Sequence, residues 1–301
     1  PDLAAKIASA RSEPGPEGPA EPHEMEAAAR RRAGAQIRLL ARWCGARAPL
    51  LAPLFEDEAR RSISAMIRGA TAGVPADARL AGLLPTPALP DRALRELASA
   101  PDIAAVAARL ATWGNAYGTA LLAETQRHQP DLFAMEHAID TTWHDRSRRA
   151  AARGGRAMRV FVERQVDLAN CWSALLVVEH GMDGSASALF VEGGTLVPRD
   201  AYLIVASSRS RGQATAILDS LVRQSPLAAV TGTGTGAEDR VRRALWREQH
   251  DIARLDPLGP APIIEFWLRL RGEVQVVQRI VWAVAAGAPP ARRATSEPAS
   301  V

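Results

Sequence analysis

Few residues of the kind that carry chemistry stand in this sequence, and their spacing argues against a reaction centre. The six histidines, His23, His128, His137, His144, His180 and His250, are scattered along the chain. Glu136-His137 and His144-Asp145 are adjacent pairs that point to different faces of a helix, unlike the Glu-x-x-His spacing that gathers ligands in a di-iron bundle. These histidines are therefore expected at surfaces or helix ends. Thr231 to Gly236, TGTGTG, lacks the Lys-Ser/Thr ending of a phosphate loop and follows no apolar strand, so it reads as a flexible linker. Gly181 with the following Met-Asp-Gly-Ser is turn chemistry, without a Gly-x-Ser-x-Gly elbow. No acidic cluster of the Asp-Asp-x-x-Asp kind occurs. Cys44 and Cys171 sit in apolar helical stretches without a CxxC, as small buried hydrophobes of a reducing compartment do. The expectation is a chain with no catalytic residue, no cofactor and no metal.

The residues that stand out are suited to holding structure. Asp167 and Asn170 form an (i, i+3) polar pair on an otherwise apolar helix, so both lie on one face. Their side chains can bond the backbone of a neighbouring lobe and fix its register, or lie on a solvated stripe. Glu273 is a more isolated candidate of the same kind. Seven tryptophans sit mostly in apolar helical stretches, where core packing is the default. Trp282 is the one assigned to an interface, where large aromatics act as anchors.

The elements that must position these residues are helical. Of 301 residues 47% are hydrophobic and only 5% aromatic, and the chain is rich in Ala, Leu and Arg, which lose little side-chain freedom in a helix. The net charge of +4, from 37 basic and 33 acidic residues, is too small over this length to announce nucleic acid. No run of about 18 apolar residues would cross a membrane. Pro and Gly mark the breaks: Ser12 to Pro22 is a linker or insertion, and the tail from Ala288 is expected to fray. The chain opens mid-pattern at Pro1 without Met, as though a native segment preceded it.

Between the breaks lies a repeat. ARRSISAMIRGATAG (Ala59 to Gly73), DLANCWSALLVVEHG (Asp167 to Gly181) and EVQVVQRIVWAVAAG (Glu273 to Gly287) share length, helical apolar spacing and a terminal Gly placed for a left-handed C-cap, at offsets of 108 and 106 residues. The 108-residue offset recurs where ALPDRALRELASA (Ala88 to Ala100) overlies LVPRDAYLIVASS (Leu196 to Ser208), with Pro90 and Pro198 each expected to begin a helix. PDLAAKIASAR at Pro1 is similar to PDIAAVAARLA at Pro101, so the N-terminus reads as the second half of a repeat and the C-terminus as the first half of one. The fold expected is all-α, with three similar helical lobes in a pseudo-threefold arrangement and one lobe split across the termini. The divisions fall at 1–45, 46–150, 151–255 and 256–301.

At these residues the chain resembles the C-subunit family of the V-type (A/V-type) ATPases and ATP synthases, whose eukaryotic counterpart is the d subunit. The most specific piece is FVERQVDLANCWSALLVVEHG, Phe161 to Gly181, with Asp167 followed three positions later by Asn170. The next is PIIEFWLRLRGEVQVVQRIVWAVAAGAPP, Pro262 to Pro290, in which Glu273, Gly287 and Pro290 match and Val276 stands where the family tends to have Asn. A third is the segment ending in Tyr117-Gly118. The first repeat departs from the pattern, with Ala59 and Ser62 where Asp and Asn are expected. The resemblance implies a funnel-shaped, non-catalytic socket of the central rotor. It would join the central shaft to the membrane rotor ring of a proton- or sodium-transporting complex, peripherally on the cytoplasmic face of a prokaryotic membrane. Membrane contact would come only through the ring. Glu273, Gly181, Gly287 and Trp282 join Asp167 and Asn170 as the interface candidates. A free-standing helical-repeat adaptor is the alternative reading.

Overall fold

A computed structural model describes residues 21–127, 131–181, 186–232 and 236–287. Among them the regular structure is wholly helical. In order come α1 (Pro22–Cys44), a 3₁₀ segment (Gly45–Leu51), α2 (Ala52–Thr71), a short α3 (Ala76–Arg79), α4 (Asp91–Ala98), α5 (Ile103–Thr112), α6 (Ala116–Thr125) and α7 (Leu132–Ala151). There follow α8 (Gly155–His180), a short α9 (Ala186–Leu189), α10 (Arg199–Ala206), α11 (Arg211–Val222), a 3₁₀ turn (Pro226–Val230), α12 (Ala237–Leu255) and α13 (Ala261–Ala285). The described residues fall into two compact units, one drawn from 21–51, 55–139 and 269–287, the other from 52–54 and 140–268.

Local chemistry sets most of the boundaries. Pro22, at the edge of the expected linker, opens α1 behind an extended Glu21, where its missing N–H costs nothing. Asp102, Asn115 and Ser210 cap α5, α6 and α11 by accepting the amides of Ala105, Tyr117 and Gln213. The 108-residue offset is visible in the backbone. α4 and α10 are both eight-residue helices, each preceded by an extended proline, Pro90 or Pro198, and followed by a serine, Ser99 or Ser207. The prolines occupy the capping position, one residue before the helices start. Gly73, Gly181 and Gly287, the ends of the three repeated stretches, have φ of 66°, 64° and 67°. A side chain there would be strained in the left-handed region, which is why the repeat ends in glycine.

The cores are aliphatic with a few large aromatics. In the first unit Ile37, Ile63, Met66, Ile67, Leu94 and Leu97 are fully buried, and in the second Trp143, Met158, Tyr202, Leu218 and Ile264. The Trp143 indole donates to the Pro53 carbonyl at 3.2 Å. Trp143 and Trp267 pack as expected, but Trp43 is 77% exposed and Trp113 40% exposed. Both lie beside helix ends, where one face has no neighbour. His144 departs from the expected surface placement: it is buried, edge-on to the Trp143 ring at 4.8 Å. Cys171 is buried, and its thiol is pushed up to about 12, chiefly by burial and then by Asp167. Cys44, at the end of α1, is only partly buried. His128, residues 1–20 and the tail from Ala288, with the expectations attached to them, lie outside the described residues.

Candidate functional site

Asp167 and Asn170 lie at the middle of α8, fully buried, and both face the loop that joins α9 to α10. The Asn170 carboxamide donates to the Val191 carbonyl and accepts from its amide, both at 2.9 Å, so it mimics one rung of a strand pair. Asp167 does the same work with charge. Its Oδ1 accepts the amides of Leu196 and Val197 at 3.0 Å, and Oδ2 those of Thr195 and Leu196 at 3.1 Å. Burial pushes this carboxyl up, against the pull of the Thr195, Val197 and Leu196 amides and of Arg164. A loop without strands has no regular partner for amides that point inward, so a side chain from the helix supplies one. Gly194 makes the close approach possible, since a Cβ there would lie 2.2 Å from Asp167 Oδ1.

The pair thus bonds backbone, as its placement on one helix face suggested. The backbone is that of the 191–197 loop, 21 to 30 residues downstream in the same unit, in place of the neighbouring lobe expected. The stripe is also longer than two residues. One step before Asp167, Arg164 lies 3.7 Å from its Oδ2, donates to Glu248 at 3.0 Å from Nε, and reaches the Thr195 hydroxyl. Beyond Asn170, Ser173 donates to the Tyr202 hydroxyl at 3.4 Å. Continuing the spacing of three in both directions from Asp167 finds Arg164 and Ser173, whereas nothing local announces Glu248. We expect Asn170→Ala to lower stability by about 2–3 kcal/mol, because it leaves a buried N–H and C=O of Val191 without partners. Urea unfolding of the full chain measures it.

The remaining candidates sit elsewhere. Glu273 holds the same place before its glycine as Asp167 but is exposed, and its 3.7 Å pair with Arg269 is too wet to contribute much. Gly181 caps α8, its backbone N–H donating a hydrogen bond to the Val177 carbonyl, and Gly287 stands in the same conformation beyond α13. Trp282 is 49% exposed, and its indole N–H donates to Glu26 Oε2 at 2.8 Å. Glu26 Oε1 takes the Gln278 amide at 2.9 Å, so one buried carboxylate ties the first described helix to the last within the first unit. The partners are more than 250 residues apart, which no sequence periodicity could reveal. Glu26→Ala should cost about 1 kcal/mol in urea unfolding, since the two donors it abandons can be rehydrated.

The chain matches the family model described as ATP synthase (C/AC39) subunit over residues 13–293. It is 23% identical to the C subunit of the A-type ATP synthase of Haloquadratum walsbyi over 251 residues, 80% of this chain and 72% of that protein. It is 24% identical to the C subunit of the A-type ATP synthase of Haloferax volcanii over 244 residues, 76% of this chain and 68% of that protein.

Proposed function

The chain belongs to the ATP synthase (C/AC39) subunit family, a family of non-catalytic subunits of rotary ATPase complexes, and from that membership we propose that it is the socket of the central rotor. In this role it couples the rotating shaft to the membrane ring during ion-driven ATP synthesis or ATP-driven ion transport. Three helical lobes, at 46–150, 151–255 and the split pair 1–45 with 256–301, would close in a pseudo-threefold funnel. The mouth would receive the shaft and the base would sit on the ring, on the cytoplasmic face. The observation that carries the role is the family match across nearly the whole chain.

The physical features are in keeping with a part that transmits torque. Asp167 and Asn170 lock a connecting loop to a long helix through six hydrogen bonds, which stiffens the second unit against shear. No helix among the described residues is long and apolar enough to cross a membrane, so contact with the bilayer would be made by the ring. Trp282, Glu273 and the left-handed turns at Gly181 and Gly287 are the proposed interface positions. Trp282 is the strongest of these, because half of its ring is open to a partner while its N–H is fixed. A tagged copy expressed in its own host should recover the catalytic, shaft and ring subunits together. Recovery of the chain alone, or with unrelated proteins, would refute the assignment and favour a free-standing adaptor.

A further inference from the structure

In the second unit Asn170 bridges α8 to Val191. The positions 108 residues earlier are Ser62 on α2 and Leu83 in the loop before α4. Serine is too short to repeat the bridge. The loop in the first unit is closed instead by its own Thr86, which exchanges backbone bonds with Leu89 and accepts the Leu89 amide at its hydroxyl, 3.1 Å away. Beside Ser62 and Leu83 lies a cavity of about 170 Å³, lined also by Glu58, Arg61, Arg271 and Gln275 among others. Ser62 is 1% exposed and Glu58 5% exposed, yet Ser62 Oγ and Glu58 Oε2 make no hydrogen bond. Two polar atoms buried in that state call for an occupant.

We propose that this cavity is a binding site for free inorganic phosphate. Three guanidiniums gather here against two carboxylates. Asp57 takes Arg60 at 2.6 Å, Arg61 at 3.0 Å and Arg271 at 3.5 Å, while Glu58 Oε2 lies 3.3 Å from Arg271 Nε. The cluster therefore keeps one positive charge in excess. Asp57 serves all three cations: burial would raise its carboxyl, but Arg61, Arg60 and Arg271 outweigh that and hold it well below the usual range. Arg61 is lowered to about 10, first by burial and then by the Arg271 guanidinium, a repulsion that an anion between them would relieve. Arg61, Arg271, Ser62 and the Gln275 amide can all donate to an oxyanion. Glu58 selects which oxyanion. Its Oε2 is paired with Arg271 without a hydrogen bond, and phosphate near neutral pH carries a hydroxyl that can donate one, whereas sulfate does not. The cavity lies below the range of about 300–1,000 Å³ that holds drug-sized ligands, which favours the free anion over a nucleotide.

Calorimetric titration of the full chain with phosphate, sulfate and ADP at constant ionic strength tests the proposal. Phosphate should give saturable binding at least tenfold tighter than sulfate, and ADP should give none. Sulfate is also a strongly excluded, structure-favouring salt, so a preference for phosphate cannot be a general salt effect. Ser62→Ala, a small change in a side chain without partners, should fold normally and weaken phosphate about tenfold. Glu58→Gln, in which an amide donor faces the ligand, should bring sulfate to within about threefold of phosphate. Absence of saturable phosphate binding, equal binding of sulfate, tighter binding of ADP, or an unchanged affinity in Ser62→Ala would overturn it.

Discussion

Replacing Asp167 by alanine should destabilise the second unit by about 4 kcal/mol, among the larger effects available to a point mutation. The loss has two parts. The carboxylate's four contacts to the Thr195, Leu196 and Val197 amides disappear. Those amides then face the fully buried position that Asp167 vacates, and each donor left unsatisfied costs about 1–3 kcal/mol. Asp167→Asn keeps the shape but turns an NH₂ toward amide donors, so it should lose at least about 2 kcal/mol. The sharper test is a cycle with Gly194. In the native chain Gly194→Ala should be severe, because its Cβ would sit 2.2 Å from Asp167 Oδ1 and 2.8 Å from Cγ. With Asp167 already alanine, that clash is gone. The coupling between the two substitutions should exceed about 2 kcal/mol in denaturant unfolding, and simple additivity would show that the close approach carries no energy.

Gly118→Ala is the second large effect expected. Gly118 lies in the first turn of α6, where that helix meets the end of α5. An added Cβ would stand 2.2 Å from the Ala111 nitrogen, 2.5 Å from the Leu110 carbonyl carbon and 2.8 Å from Ala111 Cα. All three are backbone atoms, so no side chain can rotate away and the two helices must separate. Overpacking against backbone costs more than the usual 1–3 kcal/mol of a tight core, and we expect over about 3 kcal/mol, or failure to accumulate as folded protein. Gly212→Ala is the matched control. It lies near the start of α11 with nothing nearer to the new Cβ than the Ser210 hydroxyl at 3.9 Å, so helix propensity should make it neutral or stabilising by up to about 1 kcal/mol. Equal effects at the two glycines would contradict the packing argument.

The features legible in the sequence were those written in local spacing. Apolar residues at helical intervals announced the helices. Pro90 and Pro198 mark two helix starts, and the glycines at 73, 181 and 287 mark three left-handed ends, all at positive φ. The Asp167–Asn170 pair was visible because polar residues three apart in an apolar helix are unusual. Its target was not, since hydrogen-bond acceptors do not encode which loop will supply the donors. Glu26 carries no sequence signal for a simpler reason: its partners, Gln278 and Trp282, are ordinary residues on a helix at the other end of the chain. The stretch Asp57 to Arg61 is illegible for another reason. Its composition is that of a solvated charged face, yet Asp57 and Glu58 are buried because Arg271, far away in sequence, comes to meet them. Trp43 and Trp113 show the limit of counting aromatics as core, since a helix end can leave a large side chain uncovered.

The proposed role of this chain is to join shaft to ring. The most direct measurement is the attachment of the soluble ATP-hydrolysing part of the complex to membranes that contain the rotor ring, with the chain present, omitted and added back. Without the chain, ATP hydrolysis should continue in the soluble fraction, while membrane-bound activity and ATP-driven ion uptake should fall to background. Adding the purified chain back should restore both together. Membranes that keep their bound activity and ion uptake in its absence would rule out that role.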